Sequence, residues 1–329
     1  MLITENTTFA ELEAHPGIGP IVPYFCYPVY GTRITPAQRL ADAPMPDSPW
    51  GPDEVTDAAR RLAAITESGE KALYPVYTGE ETAAEPDKAC VNLVYFPAPG
   101  SRRWVILCAG GAFMRVCSLW ESMPVAAELN RQGIAVFCLT YRVNETPLFP
   151  KPMDDLGAAV AFVRAHADDF GLEADRYAVG GFSAGGYVAA AWGVPGLGYQ
   201  KYGQPKPEML IPVYPLAMLA KTYSQATDWR RLMFDMLFGP GHTQADADRF
   251  DVYTQVDANY PPAYFVHAKD DPAVPVENSL AMHEKLQKLG IPTGLDLAEH
   301  GSHGFGRGDL TGAAGWPERM VAFWDGLTR

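Results

Sequence analysis

Ala178-Val179-Gly180-Gly181-Phe182-Ser183-Ala184-Gly185-Gly186 is the stretch on which the reading of this chain turns. The run from Tyr177 to Gly180 predicts a strand, and Ala184–Trp192 predicts a helix directly behind it. Between them lies Gly181-Phe182-Ser183-Ala184-Gly185, a G-x-S-x-G turn in the strand–turn–helix setting of a nucleophile elbow. Such a turn forces the serine into a strained backbone conformation and lifts its hydroxyl above the sheet. The residues two before and two after it must be small, because strand and helix backbones nearly touch there. The helix N-terminus adds unpaired N–H groups and a positive dipole, suited to a developing oxyanion. Ser183 is therefore the candidate nucleophile and Ala184 a candidate oxyanion donor. The competing reading, a glycine-rich structural turn, does not account for the strand before and the helix after.

Outward from the serine, short apolar runs alternate with longer helical stretches, the rhythm of a largely parallel sheet covered on both faces. Strands are predicted at Leu73–Tyr77, Val91–Phe96, Trp104–Cys108, Ala135–Thr140, Tyr177–Gly180, Met209–Tyr214, Ala263–Ala268 and Thr293–Leu297. The first two have no predicted helix between them and read as an antiparallel start. Helices are predicted at Val55–Thr66, Ser122–Gln132, Pro152–Asp169, Ala184–Trp192, Glu277–Lys288 and Trp316–Gly326. Residues 1–70, rich in proline, read as an N-terminal helical and irregular extension packed on a main domain of residues 71–329. Residues 216–260 break the alternation and read as a cap insertion, since long insertions in compact domains tend to be functional.

Cys108-Ala109-Gly110-Gly111-Ala112-Phe113 follows the predicted strand Trp104–Cys108. Small residues let backbone N–H groups turn toward a scissile carbonyl, and the position before the serine suits the loop that completes an oxyanion hole. Gly111 and Ala112 are the donors chosen. Phe113 could wall an acyl pocket, and Trp120 could meet an alcohol group such as a sugar ring; ordinary packing is the alternative for both.

A serine nucleophile needs a base, and the base an orienting acid. Of the seven histidines, His15 precedes the core and His166 and His283 lie in predicted helices. His242 lies in the cap, and His267 sits within a strand as a packed core residue. His300 and His303 remain, in Glu299-His300-Gly301-Ser302-His303-Gly304-Phe305-Gly306 after the last predicted strand. His303, between a serine and a glycine, is favoured. The acid falls in Lys269-Asp270-Asp271-Pro272-Ala273-Val274-Pro275, where spacing alone barely separates Asp270 from Asp271; the other would brace the turn.

The 329 residues carry a net charge of −13, which argues against nucleic acid, whose phosphates need clustered Lys and Arg. No apolar run approaches the roughly 20 residues that span a bilayer, so no membrane partner is expected. The start has no basic patch followed by an apolar stretch, which reads as the absence of a signal peptide. The five cysteines, Cys26, Cys90, Cys108, Cys117 and Cys138, show no metal-ligand spacing and fit reduced thiols in the cytoplasm. Neither metal nor organic cofactor is expected.

These motifs resemble the acetyl-esterase and lipase-like branch of the α/β-hydrolases, often associated with carbohydrate deacetylation. The matching stretches are CAGGAF, WESMPVAAELNRQGIAVFCLTYRV, GFSAGG, YPPAYFVHAKDDPAVPVENSLAMHEKLQKLGIP and GSHGFG, which together span most of Trp104 to Gly306. The resemblance implies an α/β-hydrolase fold with a mostly parallel eight-stranded sheet. It selects Asp271 as acid, through its D-x-x-V-P pattern, and His303 as base. The chain departs from the family in the oxyanion loop, where Ala109 and Ala112 replace the usual leading residue and third glycine. The implied activity is hydrolysis of small, chiefly acetyl, esters, O-acetylated carbohydrates among them. The rivals are a serine peptidase of the same fold and a non-catalytic binding protein on a hydrolase scaffold. The oligomeric state is left open.

Overall fold

The protein is seen in a computed structural model that describes residues 2–43 and 50–327, the side chains of residues 228–230 excepted. Residues 1 and 44–49 of the expected extension, and 328–329 at the far end, lie outside the described residues. Eight strands form one sheet: β1 (Leu73–Pro75), β2 (Asn92–Phe96), β3 (Trp104–Cys108), β4 (Ala135–Thr140), β5 (Tyr177–Phe182), β6 (Met209–Val213), β7 (Ala263–Ala268) and β8 (Thr293–Ala298). Their spatial order is β1-β2-β4-β3-β5-β6-β7-β8. β2 runs antiparallel to both β1 and β4, and every pairing from β4 through β3 to β8 is parallel.

All five residues of β3 are buried, as an inner strand covered on both faces requires. The side-chain alternation sends Trp104, Ile106 and Cys108 into one apolar cluster and Val105 and Leu107 into the other. The first cluster takes in Leu156 and Val160 of helix Lys151–Ala165 and Met282 and Leu286 of helix Glu277–Lys288. The second takes in helices Ser122–Arg131 and Trp316–Leu327. It also takes in Ile3, Phe9, Leu12 and Ile21, and Val55, Ala59 and Leu62 of helix Pro52–Glu67. The segment ahead of β1 is thus part of one face of the molecule.

Two details correct the reading of the sequence. A short helix, Gly79–Ala84, stands between β1 and β2 where no helix was expected. Thr78 and Glu81 form a capping box: the Glu81 N–H donates to Thr78 Oγ1 (3.2 Å) and the Thr78 N–H to Glu81 Oε2 (2.8 Å). The helix expected over Pro152–Asp169 ends at Ala165, and a separate turn, Ala167–Phe170, follows His166.

Between β6 and β7 the chain forms helices Leu219–Ser224, Asp228–Phe238, Gln244–Arg249 and Val252–Gln255. They are tied to the rest of the molecule: the Phe149 N–H donates to Leu237 O (3.0 Å) and the Tyr187 hydroxyl to Phe250 O (2.8 Å). Just past β4, the buried Arg142 guanidinium meets the buried Asp155 carboxylate at 2.8 Å. Asp155 also accepts the Tyr77 hydroxyl (2.8 Å) and the Arg142 N–H (2.8 Å). Removing one partner of such a pair strands a buried charge. Arg142→Ala is therefore expected to lower stability by about 3–5 kcal/mol in denaturant unfolding.

Candidate active site

The turn after β5 is built on three glycines that tolerate no side chain. A Cβ on Gly181 would lie 2.1 Å from Gly185 O, and one on Gly185 would lie 2.0 Å from Cys108 O. A Cβ on Gly110 would come within 2.8 Å of the Ser183 Cβ. Strand, helix and neighbouring loop therefore touch backbone to backbone. Ser183 is left at φ 51°, a conformation disfavoured for any residue with a side chain, at the head of helix Ala184–Ala191. Its N–H is anchored on Val213 O (3.0 Å).

The loop after β8 carries His303 to this turn. The Ser183 hydroxyl lies 2.8 Å from His303 Nε2, and His303 Nδ1 lies 2.6 Å from Asp271 Oδ2. A carboxylate can only accept, so Nδ1 carries the proton and Nε2 presents its lone pair to the serine. Asp271 has a fully buried side chain. Its Oδ1 accepts the N–H groups of Ala273 (2.8 Å) and Val274 (2.9 Å). Burial opposes its charge, yet hydrogen bonds from His267, His303 and Val274 hold the carboxyl well below the usual carboxylate range. Asp271 is thus ionised throughout the neutral range.

The structure brings Ser183, His303 and Asp271 into one hydrogen-bonded line and leaves the neighbours in other places. Asp270 Oδ1 accepts the N–H groups of Gly301 and Ser302, both at 2.9 Å, and so braces the loop that carries His303. His300 is almost wholly exposed, with Nδ1 3.4 Å from Asp270 Oδ2. His267, read from sequence as a packed core residue, is buried but also a polar partner. Its Nε2 lies 3.0 Å from Val274 O and 3.2 Å from Asp271 Oδ2, and its Nδ1 lies 2.8 Å from Ser279 Oγ. Val274 O can only accept, so Nε2 carries the proton and shares it with Asp271. Its place in the middle of β7 hid this role, because a strand position says nothing of what faces it four residues on.

Beside the serine, Gly111, Ala112 and Phe113 all have positive φ, at 132°, 55° and 60°. Among the described residues, the N–H groups of Gly111, Ala112 and Ala184 meet no acceptor. The Gly110 N–H is already taken, donating to Glu121 Oε2 at 2.5 Å. Phe113 is buried among Phe149 (5.1 Å between ring centroids) and Tyr187 (5.9 Å). Trp120 does not have the place expected of it. Its ring is buried in the opposite cluster, edge-on to Trp50, rather than open to a substrate. Glu121 and Tyr214 were not singled out from sequence. A glutamate inside the apolar run Val116–Met123 was the only signal for the first, and Tyr214 showed none despite its φ of 38°.

Among the described residues no group of three or more His, Cys, Asp or Glu is placed to hold a metal ion. Nor is any helix there long and apolar enough to cross a membrane. The arrangement can deprotonate a hydroxyl at Ser183 and hold an oxyanion on backbone N–H groups.

The family model BD-FAE matches residues 94–286. The chain is 28% identical over 225 residues to endo-1,4-beta-xylanase B of Butyrivibrio fibrisolvens, covering 65% of this chain and 34% of that protein. It is 25% identical over 217 residues to an acetylxylan esterase of Xylanibacter ruminicola, covering 65% of this chain and 43% of that protein. The chain thus spans under half the length of these two relatives. The crystal structure of an acetyl ester-xyloside bifunctional hydrolase from Caldicellulosiruptor lactoaceticus superposes with a TM-score of 0.65 at 25% identity, covering 78% of this chain and 96% of that one. A lipase/esterase from Lactobacillus plantarum, 22% identical, shares the fold with a TM-score of 0.59 over 72% of this chain and 94% of its own.

The two aspartates should separate by chemistry. Asp271→Asn is expected to slow the reaction of Ser183 with a phosphonyl fluoride by about 10³–10⁴-fold, because the imidazole loses its tautomer. Asp270→Asn keeps an acceptor oxygen and should slow it less than about tenfold. The mass increment on the intact protein, followed over time, reads both.

Proposed function

The chain belongs to the BD-FAE family and has the α/β-hydrolase fold, and on that premise we propose that it is a carboxylic ester hydrolase that removes small acyl groups, acetyl above all, from O-acetylated carbohydrates. The observation that carries this reading is the line Ser183–His303–Asp271, with distances of 2.8 Å and 2.6 Å, beside unengaged backbone N–H groups. The acetyl ester is supported by the acetylxylan esterase and the acetyl ester-xyloside hydrolase among the proteins it resembles.

The reaction follows from the geometry. As Ser183 Oγ forms its bond to the ester carbonyl carbon, its proton passes to His303 Nε2 and the carbonyl electron pair moves onto oxygen. That oxyanion is received by the N–H groups of Ala184, Gly111 and Ala112. Each well-aimed donor is worth about 3 kcal/mol of barrier, because it is in place before charge develops. Asp271 holds the ring and stabilises the imidazolium. The tetrahedral intermediate collapses as the C–O bond to the alcohol breaks and His303 gives the alcohol its proton. Water, deprotonated by the same nitrogen, then attacks the acyl-enzyme and frees the acid and Ser183. No step calls for a metal. The same proposal takes the cytoplasm as the location, a reading supported by five free thiols that would remain reduced there.

A p-nitrophenyl ester series from acetate to decanoate tests the assignment. Hydrolysis is expected to be fastest with acetate and to fall by about 10⁴-fold or more in Ser183→Ala. Undiminished turnover by that variant would remove Ser183 from the mechanism. A preference for long chains would remove only the acetyl ester.

A further inference from the structure

Glu121 is a buried carboxylate that the mechanism above does not use. Its two oxygens face opposite ways along the site. Oε2 accepts the N–H of Gly110, the residue directly before the oxyanion donors and against the serine turn. Oε1 accepts the Tyr214 hydroxyl at 3.1 Å. That hydroxyl in turn accepts the N–H of Gly306 at 3.1 Å, three residues beyond His303, so its own proton is free to go to Glu121. The Tyr214 ring lies 4.9 Å from the His303 ring. A chain of hydrogen bonds therefore joins the oxyanion loop to the base loop, with Glu121 at its centre.

Oε2 accepts a backbone N–H, and Oε1 accepts the Tyr214 hydroxyl, whose own oxygen is engaged by the Gly306 N–H. Among the described residues no Lys or Arg side chain is bonded to Glu121. The titratable groups that face it are His303 on the base loop, Tyr214 past β6, Cys117 on its own loop and Tyr141 past β4. Of these only His303 gains a positive charge. Burial pushes the Glu121 carboxyl up to about 7, against the pull of the Gly110 N–H, His303 and the Tyr214 hydroxyl. A charge kept at that cost in desolvation calls for a function.

We propose that Glu121 is a positioning residue for acyl transfer: its carboxylate holds the oxyanion loop through Gly110, holds the base loop through Tyr214, and favours the imidazolium that His303 becomes. The proposal rests on the hydrolase reading above. It explains why the oxyanion donors begin at Gly111: the Gly110 N–H is spent on the latch. Tyr214 is held at φ 38°, where its hydroxyl lies between Glu121 and Gly306.

The test uses the intact protein, p-nitrophenyl acetate as substrate, and the variants Glu121→Leu, Glu121→Gln and Tyr214→Phe over a range of pH. Glu121→Leu frees the loop and is expected to cut kcat about 100-fold with KM within about threefold, the loss typical of one misplaced oxyanion donor. Glu121→Gln still offers Gly110 an acceptor and should recover kcat to within about tenfold of the parent. Where Glu121 is ionised its charge favours the imidazolium, so in Glu121→Gln the acid limb of kcat/KM should move to lower pH. Tyr214→Phe should lose about tenfold in kcat and leave KM alone. If Glu121→Leu does not fold, the other two variants decide. Parent kcat in Tyr214→Phe together with an unmoved acid limb in Glu121→Gln would overturn the proposal, as would a glutamine variant no better than the leucine one. A parent protein that hydrolyses no ester would instead overturn the hydrolase reading, which separates the two failures.

Discussion

The close backbone approach at the end of β5 is the constraint on which the rest of the site depends. Gly181, Gly185 and Gly110 let three chain segments touch where a single methyl group would lie 2.0–2.8 Å from its neighbours. No relaxation of a side chain can relieve that contact, because the atoms met are mostly backbone oxygens. The strained φ of Ser183 is a consequence rather than an independent feature. With the chain turned that sharply, the serine hydroxyl stands clear of the sheet and the first N–H of the following helix points into the space in front of it. The same contact brings the loop after β3 alongside, so Ser183 and the unengaged N–H groups of Gly111 and Ala112 are placed by one packing event.

A site assembled this way needs its loops held from outside, and the chain before β1 helps to do so. The Val116 N–H donates to Tyr27 O (2.7 Å) and the Leu119 N–H to Phe25 O (2.9 Å), which pins the segment between the loop after β3 and helix Ser122–Arg131. On the other side, Arg307, four residues beyond His303, reaches Asp57 of helix Pro52–Glu67 at 2.8 Å. Trp120 belongs to this bracing, packed against Trp50. Both loops that meet at Ser183 are therefore supported by residues far from it in sequence. The local strain of positive φ at Ala112, Phe113 and Ser183 can persist because the surroundings leave no other conformation open.

The buried acids show how different surroundings give carboxyl groups different tasks. Asp271 accepts four N–H donors and is held strongly ionised. Glu121 has two donors and, among the described residues, no bonded Lys or Arg, and burial raises it to about 7. Glu54, where helix Pro52–Glu67 meets the chain beyond His303, is likewise raised to about 7, chiefly by burial and by Asp309 beside it. Hydrogen-bond count, more than burial alone, separates the first of these from the other two.

By itself, the sequence determined the order of the strands along the chain, the elbow at Ser183 and the loop residues available as base. These are local matters: strand and helix periodicity, and glycine where only glycine fits, are written in consecutive residues. The capping box at Thr78 and Glu81 is equally local, a T-x-x-E pattern written in consecutive residues. The limits of the sequence are physical too. Choosing between Asp270 and Asp271 took a family resemblance, because adjacent residues on a turn point in directions that spacing does not encode. Only the tertiary structure decided that His267 serves Asp271, that Trp120 packs away from the serine, and that Glu121 and Tyr214 join two loops. Each of these depends on which side chains from distant segments face one another across a buried space, and a linear chain carries no record of that until it has folded.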